Sequence, residues 1–242
     1  EDTDAYFVFL DMEKAFDRVS YSFTTQGLKA LGFGNNFRKW VGMLYNESKP
    51  PQRRIYVNGY YSPWFGLKSG VAQGCPLSPL LFLIVAEALH ESIKMEPGLK
   101  GINIGGISYL ISQFADDTTL MLRNKNDIPL VNRALRRWCK ATGMKENTLK
   151  REGLKMGKYR HANIHAPGIK WASDGEYIVG LGVPIGNDLD VEKWWAKKVE
   201  ATRNKTEHWA GLYRSSYFGR NLIVQGMYFG RLRYWLYSLP MS

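Results

Sequence analysis

The chain has very few cysteines, with Cys75 and Cys139 as the only two in its 242 residues. Two cysteines cannot build a disulfide framework, and their number also argues against a cysteine-based zinc site. So low a cysteine content is typical of proteins from reducing compartments. We therefore expect an intracellular protein of the nucleus, the cytoplasm or both.

Long apolar runs are lacking as well. The longest run, Leu80 to Ala86 with its flanks, is much shorter than the ~20 residues that a transmembrane helix needs. The first residues show no signal-peptide pattern, so we expect no membrane partner. The sequence EDTDAYFVFLD places an apolar strand pattern almost at the first position, which indicates that the sequence starts inside a domain.

Only one half of the chain lacks enough acidic residues to balance its basic ones. Residues 1–122 carry 11 Lys and Arg against 12 Asp and Glu, whereas residues 123–242 carry 22 against 10. This asymmetry favours a polyanionic partner over a small neutral substrate. Aromatic and basic side chains interleave in residues 190–214, so we expect nucleic-acid affinity to reside there.

The apolar pattern predicts an α+β fold with an antiparallel sheet packed by helices. Tyr6–Leu10 is a continuous apolar run, typical of a central strand that is covered on both faces. Residues 22–46 have the spacing of one or two amphipathic helices, and Asn58-Gly59 predicts a hairpin turn. Ser78-Pro79 predicts the start of a buried helix, with Ser78 as its cap.

A second helix is predicted to have Asp127 as its cap and to end at Thr142-Gly143. Its polar face carries Arg133, Arg136, Arg137 and Lys140. This basic face is either an ordinary solvated surface or a nucleic-acid contact.

Two adjacent aspartates, Asp116 and Asp117, stand between apolar segments in SYLISQFADDTTLMLR. They either form a turn between two strands or bind metal. Neighbouring carboxylates raise each other's pKa unless a cation compensates them. The tight-turn dipeptides Asn-Gly and Asp-Gly are absent here, which weakens the turn interpretation.

A third carboxylate, Asp11, follows the apolar strand Tyr6–Leu10. If this strand lies beside the segment with Asp116 and Asp117, the three carboxylates converge at one edge of the sheet. Hard divalent ions with oxygen ligands fit such a cluster, Mg²⁺ foremost. A pair of these ions would suit in-line phosphoryl transfer.

Several motifs resemble the palm motifs of reverse transcriptases, most of all those of non-LTR (LINE-type) retrotransposons. They occur in the same order and rough spacing as in that family: FLDMEKAFDRV, SGVAQGCPLSPLLFLIVAEAL, FADDTTLML, TGMKENTLKRE and GLGVPIG. The later LYRSSYFGR is similar to the segment that opens the thumb. The resemblance implies a right-hand polymerase palm over residues 1–186 and the start of a helical thumb over residues 187–242.

The resemblance also implies roles for individual residues. Asp11, Asp116 and Asp117 would be catalytic and would bind two Mg²⁺ ions, for which Mn²⁺ can substitute. Phe16 matches the position whose aromatic ring blocks a nucleotide 2′-hydroxyl, although a plain core aromatic is the alternative.

Four more residues match motif positions of the family. Gln73 and Gly74 correspond to the turn that meets the incoming nucleotide and the template, with a plain turn as the alternative. Asn147 and Lys150 match its Asn-x-x-Lys, in which the lysine is proposed to protonate the departing pyrophosphate. GLGVPIG corresponds to the hairpin that grips the primer.

The function implied is RNA-directed DNA polymerase, with an RNA template, a DNA primer and deoxynucleoside triphosphates as partners. The fingers motifs of the family would precede Glu1, so we expect the fingers to be largely missing and an upstream segment of a longer polyprotein to be a further partner. The alternative is a catalytically incompetent, nucleic-acid-binding remnant of a palm.

Overall fold

A computed structural model of the protein describes residues 4–164, 166–212 and 216–239. The chain divides into two compact units, one that ends at Trp171 and one that starts at Ala172. The boundary that we predict between palm and thumb, at residues 186 and 187, concerns polymerase subdomains and not these compact units. It stays a prediction.

Helices and strands are mixed throughout the chain. The strands are β1 (Ala5–Leu10), β2 (Gln52–Arg53), β3 (Tyr56–Val57), β4 (Tyr60–Tyr61), β5 (Phe65–Gly66), β6 (Ile102–Ile104), β7 (Ile107–Tyr109), β8 (Ile111–Phe114), β9 (Asp117–Leu122), β10 (Glu152–Met156), β11 (Lys170–Trp171), β12 (Ile178–Gly180) and β13 (Val183–Ile185). The α-helices are α1 (Tyr21–Ala30), α2 (Asn35–Leu44), α3 (Ser78–Lys94), α4 (Asp127–Thr142), α5 (Val191–Leu212), α6 (Tyr217–Ile223) and α7 (Gly230–Ser238). Within the described residues, no helix is long and apolar enough to cross a membrane.

A five-stranded sheet forms the centre of the first unit, in the order β11-β10-β1-β9-β8. The pairs of β1 with β9, β1 with β10 and β8 with β9 are antiparallel, and only the short β10–β11 pair is parallel. The predicted α+β fold with an antiparallel core is therefore confirmed.

One face of the sheet is buried, and its residues alternate along both central strands. The pairs Tyr6–Leu122, Val8–Leu120 and Leu10–Thr118 lie opposite each other, and all six side chains are buried. Full burial of side chains such as Leu120 stabilises the fold by roughly 1.5–3 kcal/mol each. The other face is covered less, because Phe7 and Phe9 are only half-buried. The expectation of complete cover on both faces was wrong on this point.

α3 and α4 pack against each other and contribute many of the buried side chains of the core. The Trp138 Nε1 on α4 donates a hydrogen bond of 3.0 Å to the Val85 carbonyl on α3. The Gln113 side chain on β8 donates to the Ala86 carbonyl at 3.3 Å, which ties α3 to the sheet. α4 begins at Asp127 itself, so Asn126 is its cap and the predicted cap was wrong by one residue. The helix ends where predicted, because Gly143 takes a left-handed φ of 77°.

The start of α3 differs by one residue from the prediction. Ser78 is the first helical residue and Leu77 is the cap, so Pro79 stands at the second position. The Ser78 hydroxyl lies 3.4 Å from that of Tyr45 in a buried pair instead of capping the helix.

The cover of α3 also differs from the prediction. Leu80 and Leu83 keep 59% and 55% of their surface exposed, so α3 is not buried on every face. They line an apolar groove of about 560 Å³ together with residues of α1 and of the α1–α2 region.

The second unit is built around tryptophans of α5. Trp194 is 3% exposed, and its ring packs edge-on against those of Trp195 and Trp235. β12 and β13 form the expected hairpin, whose turn residues Leu181 and Gly182 have φ values of 50° and 81°. Residues 213–215 of LYRSSYFGR lie outside the described residues.

A buried carboxylate, Glu96, connects the end of α3 to the basic face of α4. Its side chain is 0% exposed and forms ion pairs with Arg133 and Arg137. Burial opposes its ionisation, but the hydrogen bonds from the two guanidinium groups outweigh burial and lower the pKa of Glu96. Two of the four basic residues predicted for this face thus have a structural partner.

We expect Glu96→Gln to lower the free energy of unfolding by about 2 kcal/mol, because two charge-assisted hydrogen bonds are weakened. Since the folded pKa is lowered, the contribution is complete above the ordinary glutamate pKa and is lost as the pH falls below it. Urea unfolding at pH 7 and at pH 3.5 measures both effects. Arg136→Gln on the exposed side of α4 is the control and should change stability by less than about 0.5 kcal/mol. An equal effect of the two variants would contradict the structural role of Glu96.

Candidate active site

The carboxylate of Asp11 is positioned by the central pair of strands. β1 ends at Leu10, which pairs with Thr118 in β9. One more step of this antiparallel register places Asp11 beside Asp117. Directly opposed residues in such a ladder have their Cβ atoms ~4.5–5.5 Å apart. The strand neighbourhood on which the predicted cluster depends is therefore present.

Asp116 lies in the turn that joins β8 to β9. Phe114 pairs with Asp117, so Ala115 and Asp116 form the whole loop of a tight hairpin. Ala115 supplies the left-handed conformation, with a φ of 53°, that glycine or asparagine usually provides. A non-glycine residue there costs about 1–2 kcal/mol. The turn interpretation is thus confirmed, and the turn carries a carboxylate at its exposed tip.

The aspartates influence each other electrostatically. Although Asp117 is an exposed residue, partial desolvation raises its pKa, and the negative charges of Asp116 and Asp11 raise it further. Asp117 is therefore close enough to both other carboxylates to be repelled by them.

The segment with Asn147 and Lys150 runs alongside Asp11. The backbone N–H of Asn147 donates to the Asp11 carbonyl at 2.8 Å, and the N–H of Glu13 donates to the Lys145 carbonyl at 2.8 Å. The Lys150 Nζ lies 3.3 Å from the Asp11 Oδ2, and the lysine side chain remains 65% exposed. Two motifs that are far apart in the sequence are thus joined at one carboxylate.

Phe16 is held from one side by the core. Its ring stacks on that of Phe82, with centroids 4.9 Å apart and planes 10° from parallel. The residue is only half-buried, so part of the ring stays accessible. Phe16 therefore packs on the core while keeping a surface that a ligand can reach.

Gln73 and Gly74 lie in an exposed turn after the segment that contacts Phe16. The Val71 N–H donates to the Phe16 carbonyl at 2.8 Å, which fixes the approach of this turn. Gly74 has a φ of 84°, and an added Cβ would meet no atom within 4 Å. The backbone conformation therefore requires the glycine, and the space beside it is open.

Sequence reasoning did not single out Gly70, which positions this turn. Gly70 has a φ of 91°, and a Cβ there would lie 2.7 Å from the Asp17 carbonyl oxygen. The Ser-Gly pair ahead of Val71 was the signal that could have revealed this close approach.

A divalent cation fits the donor type of this site. Asp11, Asp116 and Asp117 offer hard carboxylate oxygens and repel each other without a cation. In the described part of the chain, however, no three acidic, histidine or cysteine side chains are grouped closely enough to hold a metal ion together. The ammonium of Lys150 supplies positive charge at Asp11 in this arrangement. Metal binding at the three aspartates stays a prediction.

Comparison with known proteins gives matches over most of the chain. A family model described as reverse transcriptase (RNA-dependent DNA polymerase) matches residues 1–178. A 149 kDa protein of transposon TX1 from Xenopus laevis is 25% identical over 96% of this chain and 18% of its own length. The Pol polyprotein of a type-1 retrotransposable element R2 from Popillia japonica is 32% identical over 59% of this chain and 20% of its own length.

A solved structure has a similar fold. A telomerase from Candida tropicalis superposes with a TM-score of 0.52 at 15% identity, over 76% of this chain and 28% of that one. At this identity the likeness concerns the fold alone, and it supports the predicted α+β polymerase palm.

The chain spans less than a third of the length of each of these proteins. The family model nevertheless covers the whole of its first unit, including both groups of aspartates, and the retrotransposon relatives confirm the resemblance to non-LTR elements. The chain belongs to the reverse transcriptase (RNA-dependent DNA polymerase) family.

Proposed function

We propose that this chain is the polymerase core of a non-LTR retrotransposon reverse transcriptase and extends a DNA primer along an RNA template. The observation that carries the proposal is the register that sets Asp11 beside Asp117, next to the hairpin tip with Asp116. No observation favours the alternative of a non-catalytic remnant.

We assign the binding of two Mg²⁺ ions, or of Mn²⁺ in their place, to the three aspartates. Held there, such ions would supply the positive charge that stabilises the oxygens of phosphoryl transfer. The repulsion of Asp117 by Asp116 and Asp11, which adds to the effect of desolvation in raising the pKa of Asp117, supports a site that gains from a cation.

The neighbouring residues are assigned to the substrates. The exposed part of the Phe16 ring would contact the sugar of a deoxynucleotide and exclude a 2′-hydroxyl. Gln73 and Gly74 would meet the nucleotide and the template in the open space of their turn. The Asn147 backbone holds the turn that carries Lys150 beside Asp11. From that position the Lys150 ammonium would donate a proton to the departing pyrophosphate.

Asp116→Asn tests the polymerase function directly. It keeps the shape of the hairpin tip but removes a charge, so we expect primer extension to collapse while primer-template affinity is retained. Mg²⁺ binding, measured by calorimetry on the same protein, should weaken as well. The measurement is single-nucleotide extension with the protein that the complete reading frame encodes.

Asp17→Asn is the matched control, because Asp17 is an exposed carboxylate of the same motif, six positions after Asp11. It should extend primers as the parent does. If Asp116→Asn also extended at the parental rate, the polymerase proposal would have to be abandoned.

Phe16→Ala should leave deoxynucleotide incorporation measurable and raise the use of ribonucleotides, because the ring no longer fills the space beside the sugar. The readout is the ratio of kcat/KM for the two nucleotide types, since loss of the stack on Phe82 also lowers stability. Phe16→Tyr keeps the ring and should keep the ratio. An unchanged ratio in Phe16→Ala would leave Phe16 as a core residue only.

Lys150→Gln should reduce kcat for incorporation by about 100-fold, the lower range of a general acid's contribution. Lys150→Arg retains the positive charge near Asp11 but hardly donates its proton, so it should not restore the rate. The control is Lys145→Gln in the same segment as Lys150, which removes the 2.8 Å ion pair between Lys145 and Glu13. Full rescue by arginine would show that Lys150 supplies charge and no proton.

A further inference from the structure

Residues 52–68 form a surface that the proposed chemistry does not use, and we call it the aromatic hairpin. Its centre is the pair of strands β3 and β4, joined by the predicted Asn58-Gly59 turn with φ values of 49° and 87°. Five of its aromatic side chains are between 41% and 81% exposed: Tyr56, Tyr60, Tyr61, Trp64 and Phe65.

The exposed rings are ordered by contacts within the hairpin. Tyr56 and Tyr61 face each other across the two strands, with ring centroids 4.6 Å apart. The Arg54 guanidinium lies 3.7 Å from the centroid of the Tyr61 ring and 4.8 Å from that of Trp64. The Ile55 N–H donates to the Ser62 hydroxyl at 2.9 Å and closes the base of the strands. The rings are thus preorganised on the surface without being covered by the core.

The charged side chains in this part of the sequence all have the same sign. Residues 48–86 contain Lys49, Arg53, Arg54 and Lys68 and no aspartate or glutamate. Among the ion pairs of the described residues, none involves any of these four cations. An unneutralised basic patch of this kind attracts a polyanion.

Rings and cations that alternate on one surface fit single-stranded nucleic acid best. Unpaired bases stack on exposed aromatic rings, and neighbouring cations contact the phosphates. A duplex offers its phosphates but keeps its base faces stacked internally, so it would leave the five rings unused. An apolar protein partner would have to desolvate the unpaired arginines.

The aromatic hairpin is directly continuous with the proposed nucleotide-binding turn. Ser69 follows it, and its hydroxyl donates to the Asp17 carbonyl at 3.0 Å, while the Tyr21 hydroxyl donates to the Ser69 carbonyl at 3.1 Å. Four residues further on, Gln73 begins the exposed turn. A short segment anchored to Asp17 and Tyr21 therefore connects the aromatic hairpin to the proposed nucleotide-binding turn.

We propose that the aromatic hairpin stacks unpaired bases of the RNA template before they are copied. The identity of the strand rests on the proposed function, whereas the stacking chemistry rests on the surface itself. The Trp-rich segment 190–214, favoured by the sequence, suits this task less well because Trp194 is buried among other rings.

Tyr60→Ala is the sharpest test, since Tyr60 is 81% exposed and forms none of the ring contacts within the hairpin. Fluorescence anisotropy with labelled single-stranded RNA 12-mers should show about tenfold weaker binding, as expected for one lost base stack. Binding of a blunt duplex RNA of equal length should stay the same. Tyr60→Phe should restore the affinity. Tyr237→Ala, at 82% exposure in the second unit, is the matched control.

Arg54 gives a second, independent readout. Arg54→Lys keeps the charge but loses the planar group that stacks, so affinity should fall while its salt dependence is retained. Arg54→Gln should also reduce the slope of log affinity against log salt by about one unit.

The outcomes separate this inference from the polymerase proposal, because binding is measured without nucleotides or metal. Parental affinity in Tyr60→Ala, or equal losses for single-stranded and duplex RNA, would overturn the stacking role even if primers are extended. A loss of affinity seen only with single-stranded DNA would also overturn it.

A concentration-dependent dimer of the parent that Tyr60→Ala abolishes, with RNA affinity unchanged, would assign the surface to a second copy of the chain instead. Hairpin-dependent RNA binding without primer extension would refute the polymerase proposal alone.

Discussion

The antiparallel register between β1 and β9 is the constraint on which the candidate site depends. The pairs that bury Val8 against Leu120 and Leu10 near Thr118 also set the position of the next residue, Asp11. A slip of one residue would turn every buried side chain of the strand to the other face, so the core specifies the register strongly. Hydrophobic burial therefore fixes the position of Asp11 relative to Asp117, although neither carboxylate belongs to the core.

The environments of Glu96 and Asp117 differ, and the contrast between them supports the assignment of the site. Glu96 is fully buried, yet two arginines pair with it and lower its pKa, so its charge is compensated without a ligand. Asp117 has a raised pKa because burial and two neighbouring carboxylates act on it together. An under-compensated cluster at the end of a strand is costly for folding alone and is typical of a functional site. The single lysine at Asp11 is 65% exposed, and exposed pairs of this kind are weak, so it offsets only part of this repulsion.

Sequence reasoning located the elements that have local signals. The strand before Asp11, the Asn58-Gly59 hairpin and the end of α4 at Gly143 all follow from short patterns, and the structure contains them. It was less successful where tertiary context decides. Composition could not show that Leu80 and Leu83 on α3 remain exposed. No turn motif in the sequence predicted the left-handed conformation of Ala115. The motif resemblance identified the site residues in separate parts of the sequence. The strand register and the Asn147 backbone contact bring them together in space.

Aromatic side chains show why burial has to be known before a function is assigned to them. Interleaved tryptophans and lysines occur on α5, and interleaved tyrosines and arginines occur on the aromatic hairpin, so the two segments look alike in sequence. On α5 the Trp194 ring is buried among other rings, and its burial stabilises the second unit. On the hairpin the rings are exposed and are held in place by each other and by Arg54, which limits the conformational entropy that a ligand would have to remove. Aromatic side chains thus belong to the core of one unit and to a preorganised surface of the other.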